Sequence, residues 1–79
     1  MFKTTRDGIY YISDKYEYSL LEGKTSNGYT SDMVFIFREP TQEDYDRNFY
    51  GEVVDWIFDG FNQLAAIEEI IKDYESKLN

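Results

Sequence analysis

The sequence predicts an α+β fold in which a small antiparallel sheet of four to five strands is packed by one C-terminal helix. Three observations carry this prediction. An Asp-Gly pair lies between two β-prone runs near the N-terminus, alternating and fully apolar segments follow, and residues 62–78 repeat apolar side chains at helical spacing. At 79 residues, the chain is predicted to form a single domain, 1–79.

The C-terminal segment 62–78 gives the strongest structural signal in the chain. Gly60 ends the preceding element, and Asn62 is a favoured N-cap residue, so the helix is predicted to begin there. A helix of this kind must bury its apolar stripe against the sheet. The stripe comprises Leu64, Ile67, Ile71, Tyr74 and Leu78, widened by Ala66 and Ile70.

The other side of this helix carries acidic side chains. Lys72 is placed to pair with Glu68, and Lys77 with Asp73, at the four-residue spacing that brings helical neighbours together. We therefore expect a solvated and partly neutralised helix face, which includes Glu69 and Glu75 as well.

Two hairpins are predicted ahead of this helix. Residues 2–5 and 9–13 flank Asp7-Gly8, a strong hairpin signal. Residues 15–21 alternate Tyr16, Tyr18 and Leu20 with polar side chains, which predicts a half-buried strand. A turn is expected at 22–28. The apolar run 33–37 then predicts a central strand, either covered on both sides or packed tightly under the helix.

The segment 41–50 admits two interpretations. Thr41 precedes Gln42, Glu43 and Asp44, which fits an N-cap followed by an acidic third position. This pattern favours a short helix closed by Gly51. An acidic loop is the alternative.

Residues 52–59, EVVDWIFD, are also ambiguous. As a helix continuing from Tyr45, they would align apolar residues on one side. As a strand, they place β-branched and aromatic residues between Gly51 and Gly60. The flanking glycines favour the strand.

Composition excludes several classes of function. The chain has no cysteine and no histidine, so it offers neither a disulfide nor the commonest general base and metal ligand. No basic run precedes an apolar segment at the N-terminus, and no stretch of about 18 apolar residues is present. We expect a cytoplasmic protein that is not an enzyme and needs no cofactor or metal.

At residues 44–55, carboxylates and amides approach the ligand spacing of a helix-loop-helix calcium loop. The sixth position of that loop needs glycine for a sharp turn, and here it is Phe49. The twelfth position is Asp55 rather than the longer glutamate. The pattern is therefore interpreted as an acidic surface.

Charge separates the two halves of the chain. Residues 1–38 are neutral, whereas residues 39–79 hold eleven acidic side chains against three basic ones and carry the whole net charge of −8. Such a chain should be repelled by nucleic acid and by anionic membranes, and attracted to basic protein surfaces.

A partner-binding site is predicted in the acidic stretch between Glu39 and Asp59. Most aromatic residues in this stretch are expected in the core. If Tyr45 and Tyr50 are exposed beside the carboxylates, they would suit a partner with a basic groove. Otherwise the stretch is a solvated face that keeps the domain soluble. The predicted partner-binding residues are Glu39, Glu43, Asp44, Tyr45, Asp46, Tyr50, Glu52, Asp55 and Asp59.

In size, charge and composition, the chain resembles the small acidic proteins that bacteriophages carry to block host defence, such as anti-CRISPR proteins and other DNA mimics. The resemblance rests on Glu39, Glu43, Asp44, Asp46, Glu52, Asp55 and Asp59 among aromatic residues. It implies an inhibitor in the host cytoplasm that occupies the basic nucleic-acid channel of a nuclease or effector, with carboxylates standing where phosphates would. The partner would be a nucleic-acid-binding protein, not nucleic acid or membrane.

Two other functions stay open. An immunity or antitoxin protein for a nuclease toxin would have the same small size and acidic charge. A small phage or bacterial structural or assembly subunit would instead use its aromatic surface to form a homo-oligomer, and a homodimer is left open. Salt separates them, because an electrostatic inhibitor loses affinity as salt rises and an apolar interface does not.

Overall fold

The computed structural model describes residues 1–23 and 33–78. The fold is α+β, as predicted, and the segment 52–59 forms a strand. Most of the predicted turn 22–28 lies outside the described residues. The elements are β1 (Phe2–Thr5), β2 (Gly8–Ile12), β3 (Glu17–Gly23), β4 (Met33–Arg38), α1 (Gln42–Asp46), β5 (Glu52–Phe58), a 3-10 turn (Gly60–Asn62) and α2 (Leu64–Ser76).

The five strands form one antiparallel sheet in the order β1-β2-β3-β4-β5. Every strand therefore pairs with its neighbour in sequence. The apolar strand β4 lies between β3 and β5, as its composition predicts. A bulge interrupts the β4–β5 pairing between Ile36 and Phe37, so that Val54 is the extra residue between Asp55 and Val53.

Helix α2 covers one face of this sheet. Ile67 and Ile71 of the predicted stripe are 0% and 1% exposed. Leu78 of that stripe is 41% exposed, so the prediction that it belongs to the buried side of the helix is wrong. The last backbone amides bond to carbonyls three residues back, and the helix ends at Ser76, before it reaches Leu78. The buried apolar core comprises Tyr11, Tyr18, Leu20, Val34, Ile36, Ile67 and Ile71.

The predicted N-cap of α2 is also wrong. Asn62 belongs to the 3-10 turn, and its side chain donates a hydrogen bond of 2.6 Å to Asp59, whose φ of 54° is left-handed. Gln63 takes the N-cap position instead. Its amide group donates to the carbonyl of Phe58 at 2.8 Å and so does not cap the helix.

Helix α1 confirms the predicted cap at Thr41 but ends at Asp46, well before Gly51. Asn48 adopts a left-handed φ of 63°. The amide of Phe49 donates to the carbonyl of Asp44 at 2.8 Å, and that of Asn48 to the carbonyl of Tyr45 at 3.0 Å. This Schellman pattern satisfies the last carbonyls and stops the helix.

Strand β3 begins at Glu17, two residues later than predicted. Residues 13–16 form a turn in which the amide of Ser13 donates to the carbonyl of Tyr16 at 3.0 Å. Tyr18 and Leu20 face the core as their alternation predicts. Ser19, on the opposite face, is buried rather than solvated.

The second face of the sheet is not covered by α2. We call this the open face. In β4, Val34 and Ile36 are buried under α2, whereas the alternating residues Phe35 and Phe37 lie on the open face and are half-buried. The sequence predicts that β4 is either covered on both sides or packed tightly under the helix. Packing under the helix is found for the face with Val34 and Ile36 only.

Candidate functional site

The acidic stretch from Glu39 to Asp59 comprises the end of β4, helix α1 and the edge strand β5. Its side chains divide into two sets. Some carboxylates accept hydrogen bonds from the chain's own side chains and so are committed to the fold. Others are exposed, together with the two tyrosines of the stretch.

Asp44 is committed to the fold. Its carboxylate accepts hydrogen bonds of 2.9 Å from the backbone amide of Thr41 and from the guanidinium of Arg38. The hydrogen bond from Thr41 and the charge of Arg38 lower the pKa of this carboxyl group. Asp44 therefore fixes α1 to the sheet and has little capacity left for a partner.

Arg38 lies at the centre of this arrangement and is 6% exposed. Its guanidinium carbon lies 4.0 Å from the ring centre of Tyr16 and 4.5 Å from that of Phe49. It also donates to the hydroxyl of Tyr74 at 2.9 Å. Burial acts to lower the pKa of Arg38, but the hydrogen bonds to Asp44 and Tyr74 outweigh it and raise that pKa.

Three more acidic residues of the stretch accept hydrogen bonds from side chains outside their own helix or strand, while Asp46 accepts one of 3.5 Å from Gln42 within α1. The carboxylate of Glu39 accepts from Ser19, which explains how a serine is buried in the sheet. Glu52 accepts from Tyr74, and Asp59 from Asn62. Unlike Asp44, Glu52 and Asp59 are exposed.

The exposed part of the stretch is organised around two tyrosines. Tyr45 on α1 and Tyr50 before β5 are 50% and 64% exposed, and their ring centres lie 5.9 Å apart. Glu43 and Asp46 on α1 are exposed as well. We call these four residues the tyrosine-carboxylate surface. It meets the condition under which the sequence predicts a partner-binding site.

Acidic residues predominate in the sequence around this surface, although Lys15 of the turn before β3 lines the same groove as Glu43 and Arg47. Arg47, the C-cap of α1, is the only basic residue of the sequence between positions 39 and 71. The exposed Asp55 continues the acidic character along β5, and its carboxylate accepts a hydrogen bond from the backbone amide of the next residue, Trp56.

The expectation that most aromatic residues of this stretch lie in the core is wrong. Trp56 is 48% exposed, Tyr45 and Tyr50 are exposed, and only Phe49 is half-buried against Arg38. One helix can cover only one face of a sheet, so aromatic residues that alternate along the strands cannot all be buried.

The open face is a feature that the sequence reasoning missed. Across β3, β4 and β5, the register aligns Leu21 with Phe35 and Trp56 in one row. Trp56 and Phe58 form an edge-to-face pair with ring centres 5.1 Å apart. The sequence signal that could have revealed this face is the run of apolar residues on both faces of β4. The large exposed residues of this face are Leu21 (48%), Val53 (52%), Trp56 (48%) and Phe58 (52%).

A groove lies beside α2. It is lined by Tyr11, Asp14, Ile71 and Glu75, among others. The carboxylate of Glu75 already accepts hydrogen bonds from Tyr18 and Ser13, which commits it to the fold. Within residues 1–23 and 33–78, no three acidic side chains lie close enough together to hold a metal ion.

None of the described helices is long and apolar enough to cross a membrane. Comparisons of the chain with models of protein families, with curated proteins and with solved structures find no match.

Proposed function

We propose that this protein is an acidic inhibitor that binds a basic surface of a nucleic-acid-binding protein through its tyrosine-carboxylate surface. A nuclease or effector of host defence is the proposed target, reached in the host cytoplasm. The observation that carries the proposal is the exposed pair Tyr45 and Tyr50, set beside the exposed carboxylates of Glu43 and Asp46.

The chemistry of these side chains suits a basic groove. Tyrosine gives a large and rigid contact area at low cost in side-chain entropy. A free carboxylate accepts two hydrogen bonds from one arginine, a geometry that phosphate groups also offer to arginine. The net charge of −8 steers the protein toward a cationic partner and raises the association rate at low salt.

The fold holds this surface in place before binding. Thr41 and Asp44 form a reciprocal capping box at the start of α1, and Asn48 closes the helix. The ion pair between Arg38 and Asp44 fixes the helix to the sheet at 2.9 Å. A helix of five residues would not be stable alone, so these contacts supply the preorganisation that limits the entropy cost of binding.

An immunity or antitoxin protein that caps a basic nuclease toxin would use the same surface and the same chemistry. The identity of the captured partner distinguishes the two inhibitor functions. The assembly-subunit function depends instead on the open face.

The test is capture of partners from host lysate by the tagged protein at low and at high salt, followed by measurement of binding kinetics. We expect a nucleic-acid-binding protein at low salt, with an association rate that falls as salt rises. The test variant is Glu43→Lys/Asp46→Lys, which reverses two exposed charges and leaves Asp44 intact.

A matched control is Asp7→Lys/Glu69→Lys, which changes the net charge equally at exposed positions away from α1. We expect the test variant to lose affinity by more than about a hundredfold. The control variant should lose only the part of the affinity that comes from long-range electrostatic attraction. Equal losses in both variants, or retained binding by the test variant, would reject the tyrosine-carboxylate surface as the site.

A further inference from the structure

We infer that two copies of the chain pack face to face through their open faces to form a symmetric dimer. The inference starts from the half-exposed residues Leu21 on β3 and Val53, Trp56 and Phe58 on β5, which share one face of the sheet with Phe35 and Phe37 of the intervening β4. Contiguous apolar surface of this kind is uncommon on monomeric proteins and marks an interface.

The strand residues at the centre of the open face carry no charge. Three rows cross β3, β4 and β5 there, and they contain only apolar side chains, glycine and the buried Ser19. Lys3 and Glu17 of this face lie outside that centre, on β1 and at the start of β3. Glu39 follows the end of β4, and its carboxylate reaches this face, where it accepts a hydrogen bond from Ser19. The rest of the centre offers a basic partner no carboxylate, whereas a second copy presents a matching apolar face.

The area of the face suits a dimer of modest affinity. Five strands about 4.8 Å apart and roughly six residues long, at about 3.3 Å per residue, cover roughly 500 Å² in projection. Two such faces would together bury on the order of 1,000 Å², near the lower limit for a specific interface. An interface of this size is typical of weak, transient complexes.

Electrostatics also favours this arrangement over other forms of self-association. Helix α2 lies on the opposite side of the sheet and carries Glu68, Glu69, Asp73 and Glu75. Packed sheets lie about 10 Å apart, and each helix adds about 10 Å on the outside. The two acidic helices would therefore be roughly 30 Å apart, several times the Debye length of about 8 Å at physiological salt.

The chain contains its own reporter of this interface. Trp56 is its only tryptophan and lies half-exposed on the open face. On raising the protein concentration from about 1 µM to about 500 µM, its emission should shift to shorter wavelength, and acrylamide should quench it less. Sedimentation velocity should show the conversion to dimer over the same range. This measurement needs no substitution and so cannot fail through misfolding.

Val53→Lys tests the location of the interface, because it places an unpaired charge on the open face. Ala65→Lys is the matched control, since it adds the same charge at an exposed position of α2. We expect Val53→Lys to weaken the dimer at least tenfold and Ala65→Lys to change it less than about twofold. Raising the salt should preserve or strengthen the dimer.

Four results would overturn the inference. One is a monomer at every concentration. Another is a dimer whose formation leaves the emission and quenching of Trp56 unchanged. The third is equal weakening by Val53→Lys and Ala65→Lys, which would place the contact elsewhere. A dimer that dissolves at high salt would also contradict an apolar interface. None of these results would bear on the partner binding that is proposed for the tyrosine-carboxylate surface.

Discussion

The hydroxyl of Tyr18 on β3 donates a hydrogen bond of 2.6 Å to the carboxylate of Glu75 on α2. Tyr18 is fully buried, and Ser13 donates to the same carboxylate oxygen. Burial and the hydrogen bond to Glu75 raise the pKa of Tyr18 well above its ordinary value. The helix is therefore joined to the sheet by a buried polar contact as well as by apolar packing.

Removing the hydroxyl in Tyr18→Phe should destabilise the protein by about 1.5 kcal/mol, because a hydrogen bond to a charged acceptor is lost while Ser13 still bonds Glu75. Urea unfolding measures the change. Tyr10→Phe, on the half-buried side of β2 away from α2, is the control and should stay within about 0.5 kcal/mol of the wild type. Similar losses in both variants would show that the contact with Glu75 is not special.

Arg38 should be the most sensitive polar residue of the fold. Arg38→Met keeps the aliphatic bulk but removes the donors to Asp44 and Tyr74 and the charge between two aromatic rings. The expected loss is about 3 kcal/mol, since breaking a buried ion pair leaves its partners unsatisfied.

Arg38→Lys should recover little of this stability, because an ammonium group cannot reproduce two divergent hydrogen bonds and ring stacking. Arg6→Met in the exposed first turn is the control. Urea unfolding measures the stability of each of these variants. A lysine variant as stable as the wild type would mean that charge alone, not the shape of the guanidinium group, holds the network.

The apolar contact of α2 can be tested with three isoleucines of one helix. Ile67→Ala and Ile71→Ala should each cost about 2 to 5 kcal/mol, because both side chains are fully buried. Ile70→Ala should cost less than about 2 kcal/mol, since Ile70 is only half-buried. Thermal or urea unfolding measures all three. Equal costs at the three positions would contradict the orientation of the helix.

The elements of the fold could be predicted because each has a local signal. Asp7-Gly8 marks the first hairpin, Thr41 marks the start of α1, and Gly51 and Gly60 bound β5. The end of α1 was missed because Asn48 substitutes for glycine in the left-handed position. Local chemistry therefore predicts where elements start better than where they stop.

The sequence predicts the candidate site only in part, because the contacts that the acidic residues make depend on the tertiary structure. Sequence places the acidic residues near one another but does not show which of them bond within the fold. The capping box links Asp44 to Thr41, whereas its ion pair with Arg38 depends on how the chain turns after β4. Likewise, Tyr45 is exposed because α1 lies at the surface with none of its residues buried, which no local pattern shows.

Acid should destabilise the fold through Asp44 and Glu68. The pKa of Asp44 is lowered by the hydrogen bond from Thr41 and by Arg38, and the pKa of Glu68 by the hydrogen bond from Tyr11 and by Lys72. A carboxyl group whose pKa is lower in the folded state contributes stability above its unfolded value, near pH 4. This contribution is lost as the pH falls through the folded pKa.

We therefore expect the free energy of unfolding to fall between about pH 5 and pH 2, and urea unfolding across this range measures it. Asp44→Asn should flatten the decline, because it removes one of the two groups responsible. Glu43→Gln removes the same charge from the neighbouring exposed position and serves as the control. This control is needed because protonation also relieves repulsion among the many carboxylates, which raises the free energy of unfolding as the pH falls. If Asp44→Asn and Glu43→Gln change the decline equally, the effect comes from net charge and not from the bonds that Asp44 makes to Thr41 and Arg38.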